Sequence, residues 1–397
     1  MADLLSIAEA QLLILERARP LPAEAVSLED AAGRVLAEAA RAAVDLPPFA
    51  SSAMDGFAVR TADTPGRLTV VARIAAGEPA ATAVESGQAM GIATGGAVPR
   101  GADAVVPIEY VVDHGNEVEI GAPVEIGANV RPRGGDIQAG EIVVEAGATL
   151  TPARLGALAA AGIPQARCAK RPRAAVLPTG TELRRPGEKL AAGEIYEANG
   201  LILTAQLASA GALVERLAAV ADDEDVHREA LARGLEHDVL VTSGGVSVGP
   251  HDLVRRIEGE LGVEEIFWRV AVKPGKPVSF GVRGSTLVFG LPGNPVSSLV
   301  GFELFVRPAV LALQGHGDPL PRFEPGRLGV DAKLNSDRDE LVRARTRLED
   351  GAVVLDPLGG QESHMIARAA GADALVLFPR GDGKLAAGAP VRYLRLG

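Results

Sequence analysis

The chain of 397 residues contains little cysteine, little lysine and few aromatic residues. Its single cysteine, Cys168, excludes an intrachain disulfide and a cysteine-rich metal site, and it favours a reducing, cytoplasmic compartment. The histidines show no spacing typical of a zinc site. There is no run of 18 apolar residues, and the amino-terminal segment has neither the basic start nor the cleavage site of a signal peptide. We therefore expect no membrane span and no secretion.

The charge balance is acidic, with a formal net charge of −11. Net acidity disfavours a general nucleic-acid-binding protein, which needs a basic face. Hydrophobic residues make up 47% of the chain, which is enough to form several buried cores. The length predicts about two to four domains.

The first half of the chain changes its pattern twice. Residues 1–45 are expected to be helical, because Ser6 with Glu9 and Ser27 with Asp30 fit capping boxes. Residues 46–133 contain short apolar runs divided by glycine and proline, which is typical of β-structure. Residues 134–168 return to a strand and a helix. We predict a β-rich domain at 46–133, inserted into a helical or linker domain formed by 1–45 and 134–168.

The second half begins with regular alternation. Residues 169–318 alternate strands with helices of period 3.6, which predicts a three-layer α/β domain with a mostly parallel sheet. Residues 319–397 contain short strands and almost no helical period, which predicts a small carboxyl-terminal β-barrel. The expected fold class is therefore α/β multidomain.

Three glycine-rich turns follow predicted strands of the α/β domain: LPTGTEL (177–183), TSGGVSVGPHD (242–252) and GLPGNPVS (290–297). Ligands of parallel α/β sheets bind at the carboxyl ends of strands, where glycine lets the backbone approach an anion closely. One such turn alone is weak evidence, since ordinary turns also use glycine. Three at successive strands indicate a ligand site, with candidate binding residues Thr179, Gly180, Ser243, Gly244, Gly245, Ser247 and Asn294.

Charged residues of both signs accompany these turns. Glu182, Asp222 and Asp252 each fit a helix N-cap or a first-turn acid, but together at one sheet edge they indicate a hard cation such as Mg²⁺. The segment KPGKP holds Lys273 and Lys276 between prolines. It fits either a solvated surface turn or an oxyanion site, and the scarcity of lysine elsewhere favours the anion site.

Seven motifs occur in a fixed order: SAMDGFAV, ATGGAVPRGADAVV, PTGTEL, TSGGVSVGPHD, KPGKP, GLPGNPVS and PLGGQESHM. In this order they resemble the molybdopterin molybdenumtransferase family, also called the MoeA family, which is similar to the gephyrin E domain. The resemblance covers essentially the whole chain. It implies an enzyme that inserts molybdate into adenylylated molybdopterin with release of AMP, requires Mg²⁺ and forms a homodimer. Transient contacts with an adenylyltransferase or with molybdoenzyme chaperones are further expected partners.

The resemblance also assigns roles to residues of this sequence. It implies catalytic roles for Asp55, Thr94, Glu182, Asp222, Asp252, Pro292 and Pro295, with the metal held by Glu182, Asp222 and Asp252. It implies that molybdate is bound by Lys273, Lys276, Ser297, Arg338 and Ser363. Arg343 competes with Arg338, because the segment SDRDELVR offers both. The position of Asp55 and Thr94 in another domain implies a cleft between domains or between subunits.

Three other functions are compatible with parts of the pattern. A molybdopterin adenylyltransferase would share the α/β domain, but it would not need the inserted domain or the terminal barrel. A non-catalytic scaffold that binds the cofactor is disfavoured by the intact Asp55, Asp252 and lysine pair. A paralogue tuned to tungstate is not separable by sequence, because the two oxyanions are nearly equal in size and charge.

Overall fold

The computed structural model describes residues 4–220, 223–245 and 253–396. Eight α-helices lie within these residues. They are α1 (Ile7–Leu15), α2 (Pro152–Ala160), α3 (Asn199–Ser209), α4 (Glu224–Gly234), α5 (Leu253–Glu260), α6 (Pro295–Gly301), α7 (Arg307–Leu313) and α8 (Ile366–Ala369). A π-helical segment, Phe302–Val306, connects α6 to α7.

The strands of the first half are short, and β5 is the longest of them. They are β1 (Ala23–Ser27), β2 (Ala40–Arg41), β3 (Ser51–Ser52), β4 (Gly56–Val59), β5 (Gly66–Ile74), β6 (Gln88–Ile92), β7 (Ala104–Pro107), β8 (Val111–Asp113), β9 (Glu117–Ile120), β10 (Val130–Arg131), β11 (Ile142–Val144) and β12 (Gln165–Ala169).

The strands of the second half belong mainly to two sheets. They are β13 (Arg173–Pro178), β14 (Leu183–Arg184), β15 (Ile195–Tyr196), β16 (Leu213–Arg216), β17 (Val239–Ser243), β18 (Glu264–Trp268), β19 (Val272–Lys273), β20 (Ser279–Arg283), β21 (Thr286–Leu291), β22 (Glu324–Leu328), β23 (Ala332–Lys333), β24 (Asp339–Glu349), β25 (Ala352–Pro357), β26 (Ala374–Phe378), β27 (Lys384–Leu385) and β28 (Pro390–Arg395).

The expectation that residues 1–45 are helical is wrong beyond α1. Ser6 and Glu9 form the predicted capping box, with Glu9 N donating to Ser6 Oγ at 3.2 Å. Ser27 also caps as expected, but the helix that follows it is a single 3₁₀ turn, Leu28–Asp30. The flanking residues pair instead as strands, β1 with β12 and β2 with β11. Long-range pairing therefore overrides the local helical pattern.

A six-stranded sheet lies between β2 and β11 along the chain. Its strand order is β7-β4-β6-β5-β9-β8, and separate apolar clusters cover its two faces. Because successive side chains of a strand point to opposite faces, Phe57 lies in one cluster and Ala58 in the other. The chain thus leaves the unit built by β1, β2, β11, β12 and α2, forms this inserted sheet and returns, as predicted. The exact domain boundaries stay predictions.

The α/β domain has the predicted three layers. Its sheet order is β16-β13-β17-β21-β20-β18. The first four strands are parallel, β20 is antiparallel to β21, and β18 is antiparallel to β20. Apolar clusters cover both faces: Leu203 and Phe305 lie on one side, and Leu231 and Ile257 on the other. Helix α1 packs on the first of these clusters, where Gln11 Nε2 donates to the Leu304 carbonyl at 2.9 Å.

The carboxyl-terminal region forms the predicted barrel. Strands β24, β25, β22, β28 and β26 pair in that order, and β26 pairs back with β24 to close five strands. The two-residue strand β19, which ends at the first lysine of the KPGKP segment, pairs in parallel with β24. The barrel is therefore hydrogen-bonded directly to the lysine motif of the α/β domain.

One helical stretch within the described residues, Pro295–Leu313, is long and apolar enough to cross a membrane. It includes α6, the π-helical segment and α7, and 78% of its most apolar window is buried inside the fold. Its side chains pack in the main cluster of the α/β domain. It is therefore a core helix.

Candidate active site

The carboxyl ends of β13, β17 and β21 meet at one edge of the α/β sheet, because these neighbouring strands are parallel. The turns after them line a cleft of about 530 Å³. The predicted residues among its described lining are Thr179, Gly180, Glu182, Gly244, Gly245, Pro292 and Asn294. The lining also contains residues that the sequence did not single out, namely Ile195, His227, Leu253, Val254, Pro277 and Gly293. The predicted convergence of three glycine-rich turns is confirmed.

Backbone hydrogen bonds connect the three turns directly. Thr179 N donates to the Ser243 carbonyl at 2.9 Å, and Gly244 N donates to the Leu291 carbonyl at 3.0 Å. Gly244 has φ +98°, and a Cβ there would lie 2.6 Å from the Thr179 carbonyl oxygen. Only glycine therefore permits this approach of the two turns.

Asn199, the first residue of α3, connects two turns that the sequence treated separately. Its Nδ2 donates to Ser243 Oγ at 2.7 Å and to the Gly293 carbonyl at 2.7 Å. Sequence reasoning missed this residue. The only available signal was an asparagine at the start of a helix that follows a strand, which is also an ordinary capping pattern.

The turn after β21 also reaches the barrel. Asn294 Nδ2 donates to Ser363 Oγ at 2.8 Å, and Val296 N donates to the Ser363 carbonyl at 3.1 Å. Pro295 is the first residue of α6, where its missing N–H costs nothing. The Pro292 carbonyl accepts a hydrogen bond from Ser298 Oγ. The structure thus joins predicted Asn294 directly to predicted Ser363, and the neighbouring Val296 adds a backbone bond to the same residue.

The KPGKP segment lies at the same junction. Arg338 Nη1 donates to the Val272 carbonyl at 3.5 Å, and Lys273 Nζ lies 3.0 Å from Glu340 Oε1. A Cβ on Gly275 would lie 3.5 Å from the Ser297 carbonyl, so this turn packs against the start of α6. Buried Ser297, Arg338 and the lysine motif are therefore close in space, as the resemblance implies.

The two lysines of this motif differ in their surroundings. Lys273 is half-buried and is neutralised by Glu340. Lys276 is exposed, and it has no carboxylate partner among the described residues. Its ammonium group is therefore the freer cation of the pair.

Arg338 and Arg343 differ in burial. Arg343 is only 2% exposed, and its guanidinium donates to the Gly360, Glu362 and Met365 carbonyls. Burial lowers the pKa of Arg343. Its donors hold the backbone of the loop that carries Ser363, so they are not available to a ligand.

The predicted metal ligands are only partly within the described residues. Glu182 lines the cleft, and its carboxylate lies over the backbone of Gly180. Asp222, Asp252 and the binding residue Ser247 lie outside the described residues. In the described part of the chain, no group of three His, Cys, Asp or Glu side chains could hold a metal ion. A Glu182 carboxylate next to a polar cleft is oxygen chemistry that suits Mg²⁺.

Asp55 and Thr94 are hydrogen-bonded to each other, but they do not line the cleft. Thr94 N donates to Asp55 Oδ1 at 2.7 Å, and both residues are exposed on the inserted sheet. Neither is among the described residues that line the cleft. Within one chain, the structure therefore forms the motif that the resemblance implies and leaves it separate from the three turns.

Three family profiles match successive parts of the chain. They are described as the MoeA N-terminal region (domain I and II) at residues 5–162, a probable molybdopterin binding domain at 175–312, and the MoeA C-terminal region (domain IV) at 325–396.

Curated relatives and solved structures agree with these profiles. Molybdopterin molybdenumtransferase 2 of Mycobacterium tuberculosis is 36% identical over 96% of this chain and 97% of its own length. Molybdopterin molybdenumtransferase of Haemophilus influenzae is 33% identical over 98% of both. A molybdopterin biosynthesis MoeA protein of Pyrococcus horikoshii superposes with a TM-score of 0.86 at 28% identity, covering 99% of this chain and 100% of that one.

Proposed function

This chain belongs to the MoeA family of molybdopterin molybdenumtransferases, and from that premise we propose that it inserts molybdate into adenylylated molybdopterin and releases AMP. It is a transferase of molybdenum cofactor biosynthesis. The observation that carries the finer proposal is the position of the KPGKP turn, which packs on Ser297 beside Arg338 at the junction with the barrel.

The substrates themselves require a cationic site. Molybdate and the phosphates of the nucleotide are all anions, so bringing them together needs positive charge nearby. Lys276 and Arg338 supply it in a protein of net charge −11. The hydroxyls of Ser297 and Ser363 provide further donors to molybdate oxygens, while Asn294 orients Ser363.

We assign the three turns to the nucleotide and phosphates. Glycine at Gly244 permits close approach of backbone to ligand, and Thr179, Ser243 and Asn294 bring polar groups to the same edge. The cleft volume of about 530 Å³ is in the range of small-molecule sites.

Mg²⁺ is the proposed metal, held by Glu182, Asp222 and Asp252. When bound, it would offset negative charge on the phosphate that leaves as AMP. Residues of the chain must then hold the dithiolene sulfurs, the molybdate and the scissile phosphate bond close to one another.

A homodimer is the proposed assembly. Asp55 and Thr94 form one hydrogen-bonded pair away from the cleft of their own chain, which supports a site completed by the inserted sheet of a second copy. The single, buried cysteine supports a reducing, cytoplasmic location. Transient contacts with the adenylyltransferase and with molybdoenzyme chaperones belong to the same proposal.

Reconstitution with defined substrates tests the proposed reaction. Purified protein is mixed with adenylylated molybdopterin, molybdate and Mg²⁺, and both AMP and active cofactor are measured. We expect AMP release that depends on both molybdate and Mg²⁺. Release of AMP without molybdate, or formation of adenylylated molybdopterin from ATP instead, would favour the adenylyltransferase alternative.

A further inference from the structure

One histidine of the cleft has no role in the site described so far. His227 lies in the first turn of α4, one turn before the core residue Leu231. Its side chain is 1% exposed, and it lines the same cleft as Thr179, Glu182 and Gly245. A buried imidazole at a ligand cleft needs a partner for each ring nitrogen.

Among the residues that the structure describes, only one of the two nitrogens has a partner. Nδ1 lies 2.9 Å from the carbonyl oxygen of Asp223, the N-cap residue of α4. A carbonyl can only accept, so Nδ1 carries the hydrogen. In the neutral ring, Nε2 then has a lone pair, and no described residue donates to it.

A purely structural role accounts for Nδ1 but not for Nε2. The Nδ1 hydrogen bond fixes the turn before α4, next to Asp222 in the sequence. A residue with one donor would be sufficient for that purpose. An acceptor that lines a ligand cleft without a partner is a group that a bound molecule can satisfy.

We propose that His227 is a substrate-binding residue, whose Nε2 accepts a hydrogen bond from an N–H or O–H group on the organic part of adenylylated molybdopterin. This inference rests on the proposed function. A lone pair repels anionic oxygen, so the partner is a hydroxyl or amino group of the substrate and not a phosphate oxygen. His227 thereby gives the cleft selectivity for the organic part over free phosphate.

Two amide substitutions separate the two nitrogens. In His227→Asn the side-chain amide can replace Nδ1 and keep the bond to the Asp223 carbonyl, but it does not reach the position of Nε2. In His227→Gln the longer amide can present an acceptor near the position of Nε2. Equilibrium binding of adenylylated molybdopterin, with molybdate omitted, is measured by calorimetry for both variants and for the wild type. Inorganic phosphate is the comparison ligand, and thermal unfolding reports the structural effect.

We expect His227→Asn to bind adenylylated molybdopterin about 3- to 10-fold more weakly, as for loss of one neutral hydrogen bond, with phosphate binding unchanged. His227→Gln should bind within about twofold of the wild type. Weakening in His227→Gln but not in His227→Asn would show that only the turn before α4 matters, and equal weakening in both variants would contradict the role of Nε2. Weakening of phosphate binding to the same extent would show that the ring serves the phosphates. Unchanged binding in His227→Asn would exclude contact with the substrate.

The proposed function is scored separately, by AMP release from the wild type with molybdate present. Absence of that release, with the contrast between the two variants intact, would reject molybdate insertion and keep the role of His227. A wild-type protein that does not bind adenylylated molybdopterin would reject both.

Discussion

Asn294 and Ser363 are 69 positions apart in the sequence, and a 2.8 Å hydrogen bond joins the amide of the first to the hydroxyl of the second. Asn294 belongs to the turn after a central strand of the α/β sheet, and Ser363 belongs to a loop of the barrel. The bond holds the loop of one domain at the ligand edge of the other. The geometry of the proposed active site therefore depends on the position of the barrel.

Replacement of Ser363 by alanine removes the hydroxyl from this bond. We expect the KM for molybdate to rise about 2- to 10-fold, as for loss of one neutral hydrogen bond, with nucleotide binding nearly unchanged. The fold should persist, because the Val296 N–H still donates to the Ser363 carbonyl. Ser285→Ala, in the exposed turn between β20 and β21, is the matched control. A larger loss of AMP binding than of molybdate use would contradict the proposal that Ser363 binds molybdate.

Lys276 is the exposed lysine of KPGKP that has no carboxylate partner among the described residues. Lys276→Ala should raise the KM for molybdate by about 10- to 100-fold, which is typical for loss of a charge-assisted hydrogen bond. AMP affinity, measured by calorimetry, should change far less. Lys189→Ala, another exposed lysine, should be silent. Similar losses for both ligands would mean that the turn serves the phosphates.

Arg343 holds the loop that carries Ser363 from inside the barrel. Arg343→Ala leaves three carbonyls without their donor, so we expect the free energy of unfolding to fall by about 3 kcal/mol. Arg343→Lys should recover only part of the lost free energy of unfolding, since an ammonium group cannot match the geometry of the guanidinium. Chemical denaturation measures both. A fall below about 0.5 kcal/mol for the alanine variant would show that other contacts hold this loop.

The separation of Asp55 and Thr94 from the cleft predicts sites shared between two subunits. Inactive Asp55→Ala and Asp252→Ala chains are mixed in equal amounts and allowed to exchange. In a dimer with shared sites, each mixed dimer has one intact site, and about half of the dimers are mixed, so activity should recover to roughly a quarter of the wild type. Sites formed within one chain would recover nothing, and mass spectrometry of the mixed dimers verifies the exchange.

Cys168 is fully buried in the cluster that also contains Leu36 and Leu158. Burial raises the pKa of its thiol. Because the folded state disfavours the thiolate, this group contributes stability below the unfolded pKa, and the contribution is lost as pH rises above that value. We expect Cys168 to resist a thiol reagent at pH 8 in the native protein and to react within seconds in denaturant. Fast native labelling would contradict this burial.

Much of the architecture follows from local patterns. Alternating strands and helices predicted the α/β sheet, and glycine after each strand predicted the turns at its edge. Parallel strands end on one side, so the convergence of Thr179, Ser243 and Asn294 follows once the sheet is parallel. The capping pattern at Ser27 predicted a helix that is only one 3₁₀ turn, because the residues before it pair with β12 as a strand.

The sequence by itself determined which chemical groups are present: the lysines between prolines, the carboxylates beside the turns and the motifs in their order. Only the tertiary structure decided which of these groups meet. Arg338 and Arg343 are five positions apart in one segment, yet Arg343 is enclosed among backbone carbonyls while Arg338 lies beside the lysine motif. Asn199 and His227 also reach the cleft only through the packing of α3 and α4 on the sheet. Burial and distance arise from packing between elements far apart in the chain, and no local pattern records them.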